Sequence, residues 1–133
     1  MTKIEDELMV KGSNARLASK ELAKLSSDIK NEALLRIAHN LESRCQDIIQ
    51  INAKDIDDGK EKGLTEALLD RLLLNQDRIV GMANDLRNIV NIPDPIGVII
   101  DQKVLPNGLN VSRRRVPLGV IGAIYESRPN VTI

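Results

Sequence analysis

Up to Pro93 the apolar residues recur at intervals of three, four and seven, and beyond it they alternate or run together. The change of period divides the chain. Ile4, Leu8, Ala15, Ala18, Leu22 and Leu25 fall on one face of a first helix. Ser26 and Ser27 follow as candidate N-caps, since a serine oxygen accepts from a free backbone N–H, and Asp28 suits the positive end of the helix dipole. A second helix carries Ile29, Ala33, Leu34, Ile37, Ala38, Leu41, Cys45, Ile48 and Ile49 as its buried stripe. It is expected to end or bend within NAKDIDDGKEKG, where Gly59 and Gly63 offer left-handed caps. Thr65 caps a short helix through EALLDRLLL. Asn75 caps the next, with Ile79, Met82, Ala83, Leu86, Ile89 and Val90 facing inward.

After Pro93-Asp94-Pro95 the preference is for strands. Ile96 to Val104 is rich in Val and Ile, and Asn107-Gly108 after Pro106 predicts a hairpin turn, since both residues tolerate positive φ. Leu109, Val111, Arg113 and Arg115 alternate with Asn110, Ser112, Arg114 and Val116, as on a ribbon with two accessible faces. Pro117 breaks that ladder. Leu118 to Tyr125 is apolar almost throughout and reads as a strand buried on both faces, the kind found in parallel sheets. Such a strand needs neighbours and a crossover helix, so the sequence reads as a piece of an α/β fold rather than a finished one. The expected organisation is a helical region over 1–95, a β-hairpin over 96–117, and a first sheet strand with its exit loop over 118–133.

Composition narrows the classes. The 133 residues carry 19 Lys plus Arg against 19 Asp plus Glu, a formal net charge of +0, and 42% are hydrophobic. A neutral chain has no general attraction to nucleic acid or an anionic membrane. Tyr125 is the single aromatic, which removes the stacking platforms that single-stranded nucleic acid uses. No apolar run reaches the roughly 20 residues of a membrane helix. The N-terminus lacks the apolar core of a signal peptide. A soluble, cytoplasmic protein is expected.

Candidate chemistry is sparse. Cys45 lies on an apolar stripe and reads as a buried structural thiol. His39, six residues away, lies off the stripe and reads as an ordinary solvated histidine. No metal-ligand spacing is present. Arg113, Arg114 and Arg115 alternate between strand faces and so make no single patch. Gly119 and Gly122 fall short of a dinucleotide fingerprint, which leaves close backbone packing as their expected role. The segment YESRPNVT is different. It follows the C-terminal end of the apolar segment, where α/β folds place ligands. It gathers Glu126, Ser127, Arg128 and Asn130 around Pro129. Arg128 can grip a phosphate or carboxylate bidentately, and the Asn130 amide can donate to a developing oxyanion. A polar loop that merely caps a strand is the plainer alternative, and chemistry alone leaves the two level.

RVPLGVIGAIYESRPNVTI closely resembles a segment of the γ-glutamyl phosphate reductases, members of the aldehyde dehydrogenase superfamily. LLDRLLLNQDRIVGMANDLRNIVNIPDPIG, PNGLNVSRRRVPLG, LSSDIKNEALLRIAHNLE and NAKDIDDGKEKGL are similar to further parts of that family, so the resemblance covers nearly the whole chain. It implies a Rossmann-like cofactor domain opened by the strand at 118–125, and a protruding oligomerisation element containing the arginine ribbon. It also implies NADPH-dependent reduction of L-γ-glutamyl 5-phosphate to L-glutamate 5-semialdehyde, the second step of proline biosynthesis, through a thioacyl-cysteine enzyme. By the same resemblance Asn130 stabilises the oxyanion, Arg128 contacts the substrate, and Tyr125, Glu126 and Ser127 line the nicotinamide end of the cofactor cleft. Gly119 and Gly122 become packing residues. The family's catalytic cysteine matches no position here, so these residues alone are expected to be inactive. The implied partners are the small-molecule substrate, further copies of the chain and glutamate 5-kinase, with no nucleic acid or membrane. The competing readings are a non-catalytic helical interaction module, an inactive remnant, or a nucleic-acid binder using Arg113–Arg115.

Overall fold

The computed structural model describes residues 3–133. They form five α-helices, α1 (Lys3–Leu22), α2 (Ser27–Ser43), α3 (Cys45–Glu61), α4 (Glu66–Leu72) and α5 (Gln76–Val90). An antiparallel hairpin of β1 (Ile99–Val104) and β2 (Asn110–Arg114) follows, and then one short 3-10 turn, Pro129–Thr132. These residues group into two units: up to Ser27 with 93–122, and 28–92 with 123–133.

The second unit holds the core. Ile79 and Ala83 of α5 and Ala38 of α2 are fully buried. One cluster joins Cys45, Leu74, Ile79 and Met82, and another joins Ala38, Ala83 and Leu86. The inward face expected for α5 is therefore right at Ile79, Met82, Ala83 and Leu86, while Ile89 is exposed. The α2 stripe buries only at Ala38, with Leu34 and Leu41 half-buried and Ile29, Ala33 and Ile37 in solvent. The helix expected to run from Ile29 past Ile49 is interrupted at Arg44. The Ser43 hydroxyl donates to the Asn40 carbonyl at 3.3 Å, and the Arg44 N–H shares that acceptor at 3.0 Å. Serine back-bonding of this kind bends helices.

The α3–α5 region is set by local chemistry. Gly63 (φ 74°) ends α3: its N–H bonds to Lys60 O at 3.0 Å while Leu64 N–H bonds to Gly59 O at 3.0 Å, a Schellman closure. Gly59 is not a cap. It is buried within α3, where an added Cβ would stand 3.0 Å from methyl carbons of Leu64 and Leu69. Thr65 occupies the N-cap of α4 without a side-chain bond. Asn75 caps α5 as expected, its side chain accepting from Arg78 N at 2.8 Å. Buried Asn52 ties the linker between α4 and α5, with Nδ2 donating to Leu72 O at 3.0 Å and Oδ1 accepting from Leu74 N at 2.7 Å. Arg87 of α5 reaches α2 and donates to both carboxylate oxygens of Glu42, at 2.8 and 2.6 Å.

In the first unit, α1 forms where the sequence places it, but its apolar stripe is not buried: Ile4, Leu8 and Leu22 are exposed. A helix face is buried only where another apolar surface meets it, and every residue of β1 and β2 is itself exposed. The hairpin pairs Val104 with Asn110 and Ile99 with Arg114, with a bulge between Ile99 and Asp101. Its turn falls at Pro106–Gly108, where the sequence predicts it. Leu105 O accepts from Gly108 N at 2.8 Å, and only Gly108 (φ 84°) takes positive φ, with Pro106 and Asn107 at the turn centre.

The strand expected over Leu118–Tyr125 is not formed. Among the described residues no second strand pairs with it, and Leu118, Ile121 and Ile124 are exposed. A strand exists only through its ladder, so an apolar run without a neighbour stays irregular. The described fold is thus helical with one two-stranded antiparallel sheet. Gly119 and Gly122 are not at close approaches either, since a Cβ on either would meet nothing within 4 Å. Gly119 instead sits at φ 91°, a conformation open to glycine.

Candidate functional site

The turn after the apolar segment is closely knit. Ser127 has φ 52°, the one non-glycine residue with positive φ among the described residues. Pro129 then opens the 3-10 turn, its fixed φ suiting a first helical position. Val131 N donates to Arg128 O at 3.0 Å and Ile133 N to Asn130 O at 3.3 Å. The hydroxyls of Tyr125 and Thr132 meet at 2.6 Å and close the loop from side to side. Thr132 was not singled out by the sequence, because a contact seven residues away across an irregular turn leaves no periodic signal.

Asn130 faces a cleft of about 380 Å³. Its other walls are Asp70 and Arg71 from α4, Leu74, Arg78, Gly81, Met82 and Asp85 along α5, and Pro129 of the turn itself. A smaller hollow of about 120 Å³ on the same helix also includes Asn130, with Met82, Asp85 and Ile133. Two of the charges lining the cleft neutralise each other: Arg78 Nη2 lies 2.7 Å from Asp70 Oδ1, and Arg78 Nη1 donates to Leu73 O at 2.8 Å and to Asp70 O. The side chains of Arg71 and Asp85 have no hydrogen bond or ion pair among the described residues, and neither has the Asn130 amide. The cleft therefore presents one uncommitted cation, one uncommitted anion and one uncommitted amide over an apolar floor of Leu74 and Met82.

Of the residues expected at the site, Asn130 is in this cleft. Tyr125, Glu126, Ser127 and Arg128 share its turn but do not line the cleft. Cys45 is buried beside Leu74, Ile79 and Met82, as its place on the stripe implies, and His39 is exposed. No group of three or more His, Cys, Asp or Glu able to hold a metal occurs among the described residues, and no helix of theirs is long and apolar enough to cross a membrane.

No family model matches the chain. Individual proteins do. It is 58% identical over 122 residues to the γ-glutamyl phosphate reductase of Vibrio parahaemolyticus, covering 92% of this chain and 29% of that protein. It is 54% identical over 127 residues to the enzyme of that name from Vibrio vulnificus, covering 96% of this chain and 30% of the other. The solved γ-glutamyl phosphate reductase of Thermotoga maritima superposes with a TM-score of 0.92 at 41% identity, over 95% of this chain and 30% of that one. Over the stretch it spans, the chain is similar in sequence and fold to the γ-glutamyl phosphate reductases. A second reductase of that name, from Saccharomyces cerevisiae, shares the fold with a TM-score of 0.85 at 31% identity. The chain spans about 30% of the length of the curated reductases it matches.

Proposed function

We propose that the protein containing these residues reduces L-γ-glutamyl 5-phosphate to L-glutamate 5-semialdehyde with release of phosphate, in proline biosynthesis. The observation carrying this reading is identity of 58% over 92% of the chain to a reductase of that name. The site chemistry supports it. An acyl phosphate reduced through a cysteine thioester places negative charge on the carbonyl oxygen at each tetrahedral stage. A fixed amide donor in a cleft stabilises that charge by about 3 kcal/mol. The Asn130 amide, in the lining of the cleft and with no partner among the described residues, is the donor we assign to that charge. Arg128, exposed on the same turn and without a partner among the described residues, suits the departing phosphate.

The nucleophile is not among these residues, because the single cysteine, Cys45, is packed in an apolar cluster. We assign it elsewhere in the whole protein, and these 133 residues alone are inactive on this reading. The cofactor fits by donor chemistry at one end only. Ser127 and the exposed Tyr125 and Glu126 offer polar groups to a nicotinamide, whereas no G-x-G-x-x-G loop is present to hold a pyrophosphate. NADPH, when bound, supplies the hydride. The irregular apolar segment Leu118–Tyr125 is read as the first strand of the nucleotide-binding sheet, paired by strands from the rest of the protein. The exposed hairpin is read as the element joining copies of the enzyme, and glutamate 5-kinase, as supplier of a labile acyl phosphate, as a partner. All of this is placed in the cytoplasm.

The test is NADPH oxidation by the whole protein with γ-glutamyl phosphate, set beside Asn130→Ala. Loss of an oxyanion donor lowers kcat about 10²- to 10³-fold. Wild-type kinetics from Asn130→Ala, or reduction by the 133 residues alone, contradicts the assignment.

A further inference from the structure

The cleft beside Asn130 has more recognition chemistry than oxyanion stabilisation requires. Asp70 and Arg78 satisfy each other at 2.7 Å, and Arg78 is further held by Leu73 O. Arg71 and Asp85 line the same cleft and are satisfied by nothing among the described residues. The volume of about 380 Å³ lies within the roughly 300–1,000 Å³ range of small-ligand pockets. An unpaired cation and an unpaired anion sharing a cleft with an amide donor complement a small zwitterion that carries a reactive carbonyl.

We propose that Arg71 and Asp85 are the specificity residues for the amino-acid end of the substrate, Arg71 taking the α-carboxylate and Asp85 the α-ammonium, while Asn130 addresses the acyl carbon at the other end. The inference rests on the functional reading above and assigns the half of the substrate that reading leaves unheld. The division of labour follows from the donors. A guanidinium meets a carboxylate through two parallel N–H···O bonds, and a carboxylate is the natural acceptor for an ammonium. Arg128 lies outside the cleft and stays free for the phosphate. Gly81 contributes by what it lacks: an added Cβ there would meet nothing within 4 Å, so this position keeps the helix wall open.

The experiment uses the whole protein in the oxidative direction, with phosphate and NADP⁺, and two probes: glutamate 5-semialdehyde and 5-oxopentanoate, which has the same carboxylate and aldehyde without the α-amine. Wild type should prefer the amino acid. Asp85→Asn should raise KM for glutamate semialdehyde at least about tenfold, the scale of a hydrogen bond to a charged group, and erase most of the preference. Arg71→Gln should raise KM for both probes alike. In both variants kcat and KM for NADP⁺ should stay within about twofold of wild type, a split that general damage to the fold does not produce. Asp85→Asn and Arg71→Gln variants that keep the wild-type preference and KM overturn the inference and leave the functional reading standing. No turnover of glutamate semialdehyde by the wild type overturns both.

Discussion

Asn52 on α3 bonds the backbone on either side of Leu73, donating to Leu72 O at 3.0 Å and accepting from Leu74 N at 2.7 Å. One side-chain amide thus replaces the ladder that the linker between α4 and α5 lacks, and it does so while only 4% exposed. The linker matters because it joins α4, which carries Asp70 and Arg71, to α5, which carries Arg78, all three lining the cleft. Replacing Asn52 by Leu strands a buried N–H and a carbonyl, and a buried unsatisfied polar group costs about 1–3 kcal/mol. Asn52→Leu should therefore lower stability to urea by that amount. Asn52→Asp should also destabilise, since it keeps the acceptor, loses the donor and buries a charge. An unchanged urea midpoint for Asn52→Leu would show that the amide pair is dispensable.

Glu42 and Arg87 give stability a pH dependence. The paired hydrogen bonds from Arg87 hold the Glu42 carboxyl below its ordinary value of 4.5, against an opposing push from partial burial. A carboxylate with a depressed folded-state pKa binds its proton more weakly when folded than when unfolded. Its contribution is thus fully present above the ordinary value and is lost as pH falls through the folded value. Glu42→Gln should be less stable than wild type at neutral pH, and the difference should shrink as pH drops below 4.5. A gap that stays constant between about pH 7 and pH 3 contradicts the linkage. Glu7, depressed by fully exposed Lys11 four residues away, serves as the screened comparison and should show little effect.

Much of this architecture was legible along the chain, and the misses share a cause. Period and caps located α1, α5, the Asn75 cap and the hairpin because each is decided by residues within a few positions of one another. The apolar pattern places the α1 residues on one face and predicts a strand over 118–125, yet that face is exposed and that segment is irregular. Both depend on a partner surface, which pattern does not report. Asn52 and the Asp70–Arg78 pair leave no local signal, and Gly59 is a packing position rather than the cap its neighbourhood predicts, because these roles arise from contacts spanning helices and loops. In the candidate site, Asn130 is legible from the chemistry of its segment and from the resemblance, while the cleft it lines with Arg71 and Asp85 depends on how α4 and α5 pack beside the 3-10 turn.

Two glycines should respond oppositely to alanine. Gly63 terminates α3 at φ 74°, where a Cβ is strained whatever the space, so Gly63→Ala should cost about 1 kcal/mol. Gly81 lies inside α5 with nothing within 4 Å of its would-be Cβ, so Gly81→Ala should stabilise by about 0.5–1 kcal/mol through the unfolded chain's lost freedom. Larger residues at 81 project into the cleft. Gly81→Leu should keep the thermal midpoint at or above wild type while raising KM for the substrate. Destabilisation by Gly81→Ala, measured by thermal unfolding, would count against this view of the helix.

The hydroxyl pair of Tyr125 and Thr132, 2.6 Å apart, brackets the turn that presents Asn130. Between them lies Ser127 at φ 52°, a conformation that costs a non-glycine residue and persists only where its surroundings fix it. If the pair acts as a brace, its two halves work as a unit. Tyr125→Phe and Thr132→Val should then each lower kcat by about tenfold through misplacement of the amide, and the double variant should fall no further than either single one. Thr132→Ser, which keeps the hydroxyl, should restore most of the rate. The nicotinamide contact read for Tyr125 adds its own signature, a raised KM for NADPH in Tyr125→Phe that Thr132→Val does not share. Steady-state kinetics of the four variants in the whole protein separates the two. Additive losses in the double variant rule the brace out, because independent defects multiply whereas one broken bond can be broken only once.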